Sequence, residues 1–497
     1  MFPPTMILAL LSGSRRGLFA LSIVLLVTAT APSAAQTTYE STTHRGQPAV
    51  VVTGGSNGIE HPDQGTDVTW SSNTVWILDG LVFVNEEQTL TIEPGTVVKA
   101  KKGAGRAASG LVVARGGTIE ADGTAERPII FTSVTDDLTQ ADDLPANARG
   151  LWGGLIIMGR APLNTTPNVL NVEGITLNEI RNQYGGTDPD DDSGTLRYVS
   201  IRHGGTILEK GNEINGLTLA AVGRGTTIEY VEVFNNKDDG IEFFGGTVDA
   251  RYLISAFTTD DSFDFDQGYR GRGQFWLAVQ NSVYADHAGE HDGGESDFGG
   301  EDSTPYASPT LYNMTYVGSG LDGAGSTALH IRDNFAGSYF NSIFASFPGE
   351  AVYIEDVPAE NEGDSRARFE AGDLEISNNL FYEIGGTFVA GTGSSFGGLV
   401  ANEGAFSDPL SRRLEDENTI VSLSPLATLS RDSYGMISRL DPRATRDATS
   451  SELAPVPSSF FEDVSYIGAF GPDENWAVSW SFLGNGGSEY PGLQIME

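Results

Sequence analysis

The sequence contains no cysteine. Disulfide bonds, thiolate metal sites and a cysteine nucleophile are therefore excluded, as is the lipid-modified cysteine of a bacterial lipoprotein. Beyond the first 35 residues there is also no long hydrophobic run, so we expect no transmembrane anchor in that part of the chain. Apolar residues hardly ever recur with helical spacing, which indicates a chain built from strands and turns.

Positive charge is scarce as well. Lys and Arg together number 29 against 67 Asp and Glu, which gives a formal net charge of −38. The few lysines are Lys99, Lys101, Lys102, Lys210 and Lys237. Phosphate binding needs a basic surface, so nucleic acid is not expected as a partner. Abundant acid with little lysine is also typical of surfaces that work in high salt, and we take a halophilic, saline habitat as a hypothesis.

Residues 1–35 have the features of a signal peptide. Arg15 and Arg16 precede the apolar stretch LFALSIVLLVTATAP, and Ser33-Ala34-Ala35 supplies the small residues of a cleavage site before Gln36. The segment SRRGLF is also close to a twin-arginine signal, so both export routes stay open. We expect the mature chain in the periplasm, on the outer surface or in the extracellular medium.

The remaining chain divides by composition. Residues 36–75 are rich in Thr, Ser and Gly and are predicted to be a flexible leader. Residues 76–400 consist of short apolar runs separated by Gly, Asp and Asn, with polar insertions at 162–194 and 357–372. Residues 401–497 are predicted to form a C-terminal cap that covers the last repeat, because an open sheet edge invites aggregation.

The apolar runs repeat. ALHIRD at 328–333 returns as AVYIED at 351–356, and Tyr230-Val231 returns 22 residues later as Tyr252-Leu253. A repeat of this length is too short for a propeller blade, and the Leu and Asn pattern of a leucine-rich repeat is absent. The pattern predicts an all-β, right-handed parallel β-helix, a solenoid in which equivalent residues of successive coils stack.

One acidic segment occurs twice at the same spacing, as DDGIEF at 238–243 and DDSFDF at 260–265. With strand alternation, Ile and Phe point inward and the acids point outward, so carboxylates stack on carboxylates. Like charges opposite one another are destabilising, and bound Ca²⁺ would relieve them. The alternative is that these acids only form Asx turns at coil corners. The predicted calcium ligands are Asp238, Asp239, Glu242, Asp260, Asp261, Asp264 and Asp266, with Glu290 and Asp292 from a following segment.

Two further segments have metal-ligand spacing. Asp188, Asp190 and Asp192 alternate like the start of a calcium loop, although Val199 stands where an EF-hand needs Glu. The alternative is a solvated acidic loop. In DHAGEH at 286–291, His287 and His291 would form a zinc pair on a helix, but the glycines argue against a helix. A loop metal site made of His287, Glu290 and His291 stays open.

Several segments resemble a known group of proteins. They include IEPGTVVKAKKG, LWGGLIIMGRAP, LRYVSIRHGG, DDGIEFFGG, DDSFDFDQGYRGRGQFW and YIGAFG. In this order they resemble exported bacterial proteins, common in Bacteroidetes-like and marine Gram-negative bacteria, that are predicted to be β-helical. The resemblance covers nearly the whole chain after residue 35. It implies export and a β-helix, and it implies no particular reaction.

The favoured function is that of an exported or cell-surface binding or structural protein, stabilised by calcium, with a polysaccharide or another surface protein as partner. This interpretation assigns no catalytic residue. The alternative is a carbohydrate-active enzyme of the β-helix type, a polysaccharide lyase or glycoside hydrolase. Its catalytic candidates, compared with polygalacturonases, are Asp239, Asp260, Asp261, His287 and Arg270. The Gly-His-Gly context of polygalacturonases is missing, and HIRD has Asp where they have Lys.

The charge balance generates a prediction about salt. Because like charges repel and ions screen them, the stability of the protein should rise as salt increases from dilute buffer to molar concentration. Thermal unfolding in KCl measures this, with sucrose of equal osmolality as the control. A melting temperature that is indifferent to salt would remove the halophilic hypothesis.

Overall fold

The computed structural model describes most of the chain after residue 34. The described residues are 35–140, 143–173, 175, 179–207, 214–294, 300–325, 327–356, 364–385, 408–448, 452–485 and 494–495. The predicted signal peptide up to residue 34, Lys210, half of the 357–372 insertion and the end of the predicted 76–400 region lie outside them. No helix in the described part of the chain has the length and apolarity needed to cross a bilayer.

Strands dominate the described residues. The first thirteen are β1 (Thr38–His44), β2 (Gln47–Thr53), β3 (Asp67–Trp70), β4 (Val75–Asp79), β5 (Leu81–Val84), β6 (Thr89–Ile92), β7 (Val97–Ala100), β8 (Gly110–Val113), β9 (Thr118–Asp122), β10 (Ile129–Ser133), β11 (Leu155–Met158), β12 (Leu170–Asn171) and β13 (Gln183–Tyr184). The next ten are β14 (Gly194–Arg202), β15 (Leu217–Ala220), β16 (Thr227–Phe234), β17 (Ile241–Phe244), β18 (Ala250–Ala256), β19 (Phe263–Asp266), β20 (Arg272–Val279), β21 (Gly289–Asp292), β22 (Thr310–Tyr312) and β23 (Thr315–Val317).

The later elements include the two α-helices. They are β24 (Leu329–Arg332), β25 (Ser338–Phe340), β26 (Ile343–Phe347), β27 (Val352–Ile354), α1 (Ser365–Ala371), β28 (Glu375–Ser377), β29 (Leu380–Ile384), α2 (Asp408–Glu417), β30 (Thr419–Ile420), β31 (Leu426–Arg431), β32 (Ile437–Ala444) and β33 (Gln494–Ile495). Single 3₁₀ turns lie at Gly105–Ala107 and Ile180–Asn182.

The strands stack into parallel ladders. A nine-stranded sheet, which we call the front sheet, consists of β5, β8, β11, β15, β17, β19, β21, β24 and β27. The other coil strands form two more parallel ladders. The long strands β14, β16, β18 and β20 are bent, and each takes part in both ladders, so the two ladders join into one sheet. β1 and β2 add an antiparallel hairpin at the N-terminal end, where a flexible leader is predicted. The predicted all-β parallel β-helix is confirmed.

The bend in each long strand lies at one stacked residue with a left-handed backbone. Tyr198, Tyr230, Tyr252 and Phe275 all have φ between 51° and 62°. The ring centroids of successive residues in this column lie 4.4, 4.3 and 5.0 Å apart. Aromatic residues rarely adopt this backbone, so ring stacking offsets part of its cost. Three asparagines with φ between 53° and 59° stand at corresponding bends in the later coils, namely Asn313, Asn341 and Asn378.

The interior of the coil follows the predicted alternation. Ile241 pairs with Phe263 and Phe243 with Phe265, so the 22-residue spacing is one coil. All four side chains are fully buried. Trp276 packs against this column, with its ring centroid 4.9 Å from that of Phe263. The same period that buries these rings sends the intervening residues to the outer face of the front sheet.

Part of that outer face is covered by the 162–194 segment. Here β12 and β13 form a small antiparallel pair, and the segment packs on outward-facing apolar residues of the front sheet. Tyr184, for example, lies with its ring centroid 6.0 Å from that of Phe244. The buried cluster between segment and sheet includes Phe83, Val112, Ile156, Met158, Leu163, Leu170, Val172 and Ile175.

The C-terminal region differs from a simple cap. Leu414 of α2 is fully buried in the main core, and Asn418 donates to the carbonyl oxygen of Ile376 at 2.7 Å, so residues 408–420 do lie on the last coils. Residues 452–484, which we call the strap, instead run along the outside of the long strands. The bend asparagines hold the strap by donating to backbone oxygens of Glu452, Ala454 and Tyr466.

The far end of the strap is held by a buried carboxylate. Glu232 is fully buried and accepts hydrogen bonds from the backbone N–H groups of Phe482 and Leu483, both at 2.8 Å. Ser200 adds a third donor at 2.5 Å. Trp480 packs edge-on against Tyr230 of the aromatic column, with ring centroids 6.1 Å apart. A cap confined to the last coil does not account for these contacts, because they reach coils far from it.

The strap generates a stability prediction. Glu232→Ala leaves the buried N–H of Leu483 and the partly buried N–H of Phe482 without an acceptor. It should lower the free energy of unfolding by about 3 kcal/mol. Urea unfolding measures the loss, and limited proteolysis should cut the strap first. Asp473→Ala, at a strap residue whose side chain is 77% exposed, is the matched control and should be neutral. Equal stability of the two variants would contradict the role of Glu232.

Candidate functional site

A row of polar residues follows the outer face of the front sheet. Strand register places one such residue on each coil, directly above its predecessor. We call this the polar row, and in order it contains Thr218, Glu242, Asp264, Glu290, His330 and Tyr353. The row begins beside the apolar part of the same face, where the 162–194 segment packs.

Two carboxylates of the row, Glu242 and Asp264, form a buried triad with Asp239, which lies just before β17. Asp239, Glu242 and Asp264 each place an oxygen within 4.8 Å of the others. Their exposed fractions are only 9%, 5% and 8%. The sequence predicts that Glu242 and Asp264 point away from the core, which they do, yet the structure buries them. Buried like charges at this separation are costly unless they are protonated or neutralised.

The hydrogen bonds of the triad leave one oxygen unsatisfied. Asp239 accepts from the backbone N–H of Asp261 at 3.0 Å, and Glu242 accepts from the side-chain amide of Asn215. The Oδ1 atom of Asp264 is buried and has no hydrogen-bond partner among the described residues. Such an atom in a native interior calls for a ligand or a proton.

The pKa values of the triad are shifted accordingly. Burial, as the largest cause, raises the pKa of Asp239, Glu242 and Asp264 well above the ordinary carboxyl range. Neighbouring carboxylates raise them further, with Asp261 acting on Asp239 and Asp266 acting on Asp264. A divalent cation would displace the protons that these groups hold and would reverse this shift. Carboxylate oxygens in irregular geometry are the ligands that Ca²⁺ prefers.

The triad opens toward solvent through a second acidic group. Asp238, Asp239 and Asp260 also place oxygens within 4.8 Å of one another, so Asp239 is shared. Asp238 is half-buried and Asp260 is exposed. Five of the seven predicted calcium ligands between residues 238 and 266 belong to these two groups. The charges of the other two, Asp261 and Asp266, raise the pKa of Asp239 and Asp264 respectively.

The two predicted ligands on β21 have cationic partners. Asp292 lies 2.5 Å from the Nε atom of Arg332, and Glu290 lies 3.4 Å from its Nη1 atom. Asp292 is therefore neutralised at the edge of the patch. Glu290 stays close enough to Asp264 and Asp261 for its charge to raise the pKa of both.

The alternating acids of the 162–194 segment are used in local turns. Asp188 accepts from the backbone N–H of Asp190 at 3.1 Å, and Asp192 accepts from that of Gly194 at 2.8 Å. Asp190 lies 3.7 Å from Arg224. These are Asx-turn contacts, and all three side chains are exposed, which agrees with the alternative of a solvated acidic loop. Among the described residues, these three aspartates belong to no group of three metal-ligand atoms within 4.8 Å.

His291 is a core residue in the structure. It is fully buried, its ring centroid lies 4.3 Å from that of Phe265, and its Nε2 atom lies 2.6 Å from the hydroxyl of Tyr339. β21 is a strand, so residues 290 and 291 face opposite sides of the sheet. The loop site of His287, Glu290 and His291 is therefore not formed.

His330, which sequence reasoning missed, takes the place of His291. The ligand atoms of His287, Glu290 and His330 lie within 4.8 Å of one another. The signal was present in the repeat, because ALHIRD lies one coil after the strand that carries Glu290. Burial, followed by the charges of His287 and Arg332, lowers the pKa of His330 to about 3.

Four of the five catalytic candidates also come together. The Nδ1 atom of His287 lies 3.0 Å from the Oδ1 atom of Asp261, which accepts the backbone N–H of His287 at 2.6 Å. Asp239 and Asp260 belong to the neighbouring patch. Arg270 does not join them: its side chain donates to the carbonyl of Gly268 at 2.9 Å. Burial, followed by the charge of Arg224, lowers its pKa.

Two other features of the surface carry charge. A cleft of about 570 Å³ beside the 162–194 segment is lined by Arg115, Arg160 and Arg181. A third acidic group, formed by Glu301, Asp333 and Glu355, was also missed by sequence reasoning because its members come from three separate segments. Burial and the neighbouring acids raise the pKa of Asp333 to about 7.

Comparison with known proteins agrees with the architecture. A family described as "Pectate-lyase like beta helix domain" matches residues 63–398, which include all nine strands of the front sheet. No curated protein and no solved structure matches the chain.

The triad generates a prediction about pH. In the presence of a chelator, the triad carboxyls of the folded chain keep their protons to a higher pH, because their pKa values are raised. In the unfolded chain the same carboxyls lose their protons above pH about 4. This contribution to stability is complete below that pH and is lost as pH rises toward the folded pKa values. Asp264→Asn removes one of the charges, so it should be more stable than the wild type at pH about 8, with the advantage shrinking toward pH about 4.

Urea unfolding at several pH values measures that difference. Asp190→Asn is the matched control, because the side chain of Asp190 is 72% exposed. Its stability relative to the wild type should not vary with pH. A constant difference between Asp264→Asn and the wild type across the same range would contradict the shifted pKa values.

Proposed function

The chain belongs to the family of pectate-lyase-like β-helix domains, and from this premise we propose that it is an exported protein that binds acidic polysaccharide through Ca²⁺. The ion is held by the buried triad and the acidic patch around it. The polysaccharide lies along the outer face of the front sheet. Residues 1–35 supply the export signal that such a function requires.

The single observation that supports this proposal best is the unpartnered oxygen of Asp264. An Oδ1 atom without a hydrogen-bond partner, inside a triad whose members are at least nine-tenths buried, fits an inner-shell ligand of a hard cation. Asx turns alone would explain the neighbouring acids at coil corners, but they would leave this oxygen without a function.

The net charge decides which ligand is compatible. A chain with a formal charge of −38 repels a polyanion such as a polyuronate. Bound calcium would overcome this repulsion, because an ion at the exposed rim of the patch can use its remaining coordination positions to bind uronate carboxylates. Asp260, which is exposed, marks the side from which the sugar would reach the ion.

The arginine cleft supports the same ligand class. Arg115, Arg160 and Arg181 line it, and Arg181 stacks on the ring of Phe83 at 3.8 Å, on the outer face of the front sheet. Guanidinium groups suit sugar carboxylates, which here would share Arg160 with Glu86 and Arg181 with Glu179.

A direct test is calcium binding to the chain without residues 1–35 after treatment with a chelator. Calorimetry should detect Ca²⁺ binding, and Ca²⁺ should raise the melting temperature. Asp264→Asn should weaken binding by about 10-fold or more, since it removes a charged ligand. Asp190→Asn should bind like the wild type. No melting shift with Ca²⁺ would remove the calcium part of the proposal.

Polysaccharide binding is tested separately. Co-sedimentation with polygalacturonate and alginate should require Ca²⁺ and should be lost in Asp264→Asn, while neutral glucan is not retained. Release of unsaturated or reducing sugars from either polyuronate, abolished by Asp261→Ala, would show instead that the chain is a polysaccharide lyase or a glycoside hydrolase. The contacts between Asp261 and His287 are the observation that favours this second function.

A further inference from the structure

We propose that His287 and His330, together with Glu290, form a second metal site, distinct in chemistry from the calcium patch, that binds a transition-metal ion of the Zn²⁺ class. The three residues come from two adjacent coils of the front sheet, so the ion would join β21 and the segment before it to β24.

The two imidazole nitrogens already face each other. The Nε2 atom of His287 lies 2.8 Å from the Nδ1 atom of His330. Two nitrogens bound to one tetrahedral zinc ion at about 2.0–2.1 Å lie roughly 3.3 Å apart. The two nitrogens would therefore need to move apart by only about half an ångström to bind one zinc ion together. Small rotations of two side chains at the sheet surface are enough for this change.

The surroundings of His287 are those of a metal ligand. Its Nδ1 atom lies 3.0 Å from the Oδ1 atom of Asp261. When Asp261 is ionised, this contact holds the proton on Nδ1 and leaves the lone pair of Nε2 facing His330. The same Asp261 oxygen accepts the backbone N–H of His287 at 2.6 Å, which fixes the ring relative to its own backbone. A carboxylate that orients the distal nitrogen is the usual outer partner of a zinc-bound histidine.

The carboxylates complete the donor set. Glu290 has a ligand atom within 4.8 Å of one nitrogen of each histidine, its Oε1 atom lies 4.0 Å from the Nδ1 atom of His287, and Arg332 lies 3.4 Å from it. Asp286 lies 3.4 Å from the Nε2 atom of His287 and is the candidate for a fourth position. Two neutral imidazoles with one or two carboxylates suit zinc, whereas calcium selects oxygen ligands alone.

The ring of His330 is positioned from its other side. Tyr353 follows it in the polar row, and the two ring centroids lie 4.4 Å apart. His330→Phe would retain this packing while it removes both nitrogens. The variant therefore separates metal binding from the structural role of the ring.

The experiment uses the chain from residue 36 onward after treatment with a chelator. Zn²⁺ binding is measured by calorimetry, and Co²⁺ binding is followed by visible absorption. The wild type should bind one Zn²⁺ and should give Co²⁺ absorption typical of nitrogen ligation. His330→Phe and His287→Gln should each weaken Zn²⁺ binding by about 10–100-fold. Circular dichroism shows whether each variant is folded, and His330→Phe, at the half-buried position, decides the outcome if His287→Gln does not fold.

Two controls separate this site from its surroundings. His61→Ala removes a histidine near the N-terminal end of the described chain and should bind Zn²⁺ like the wild type. Asp264→Asn should retain Zn²⁺ while it loses Ca²⁺, so the two proposals fail independently. Three results would each overturn the proposal: the wild type binds no Zn²⁺, His330→Phe binds Zn²⁺ as tightly as the wild type, or millimolar Ca²⁺ displaces the Zn²⁺. The contact between His287 and His330 would then be a hydrogen bond between two imidazoles and not a metal site.

Discussion

Parallel hydrogen bonding between successive coils is the constraint on which the rest of this structure depends. It places each residue directly above its equivalent one coil earlier, as Ile241 and Phe263 show. Inside the coil the result is favourable, because apolar and aromatic side chains stack into a continuous core. Outside the coil the same register places Asp264 over Glu242. The carboxylate patch is therefore a direct consequence of the repeat that builds the core.

Much of this could be predicted from the sequence, since the register is local information. The 22-residue spacing predicts the coil, the inward Phe residues and the outward acids, and the structure places each as expected. The burial of Glu242 and Asp264 could not be predicted, because it depends on which side chains of other segments pack over an outward face. Alternation also fails to identify a ligand pair that joins two strands, and for this reason the sequence does not point to His330.

The C-terminal region shows the other limit of sequence reasoning. Its aromatic residues indicate packing, but its partners lie up to about 250 residues away, as the contact from Leu483 to Glu232 shows. No repeat connects these positions. The stacked column of Tyr198, Tyr230 and Tyr252, with its left-handed backbone, contributes the surface on which the tryptophans of the strap pack. Such a surface belongs to the assembled solenoid and to no single segment.

The strap also changes how a solenoid of this kind can come apart. In a simple repeat protein each coil touches only its neighbours, so the end coils can fray one by one. Here Asn378, in a late coil, and Glu232, in a middle coil, hold the two ends of one continuous segment. A late coil cannot peel away from the solenoid without releasing that segment. Nearest-neighbour fraying is thus replaced by long-range cooperativity, in which the middle and late coils share one unfolding transition.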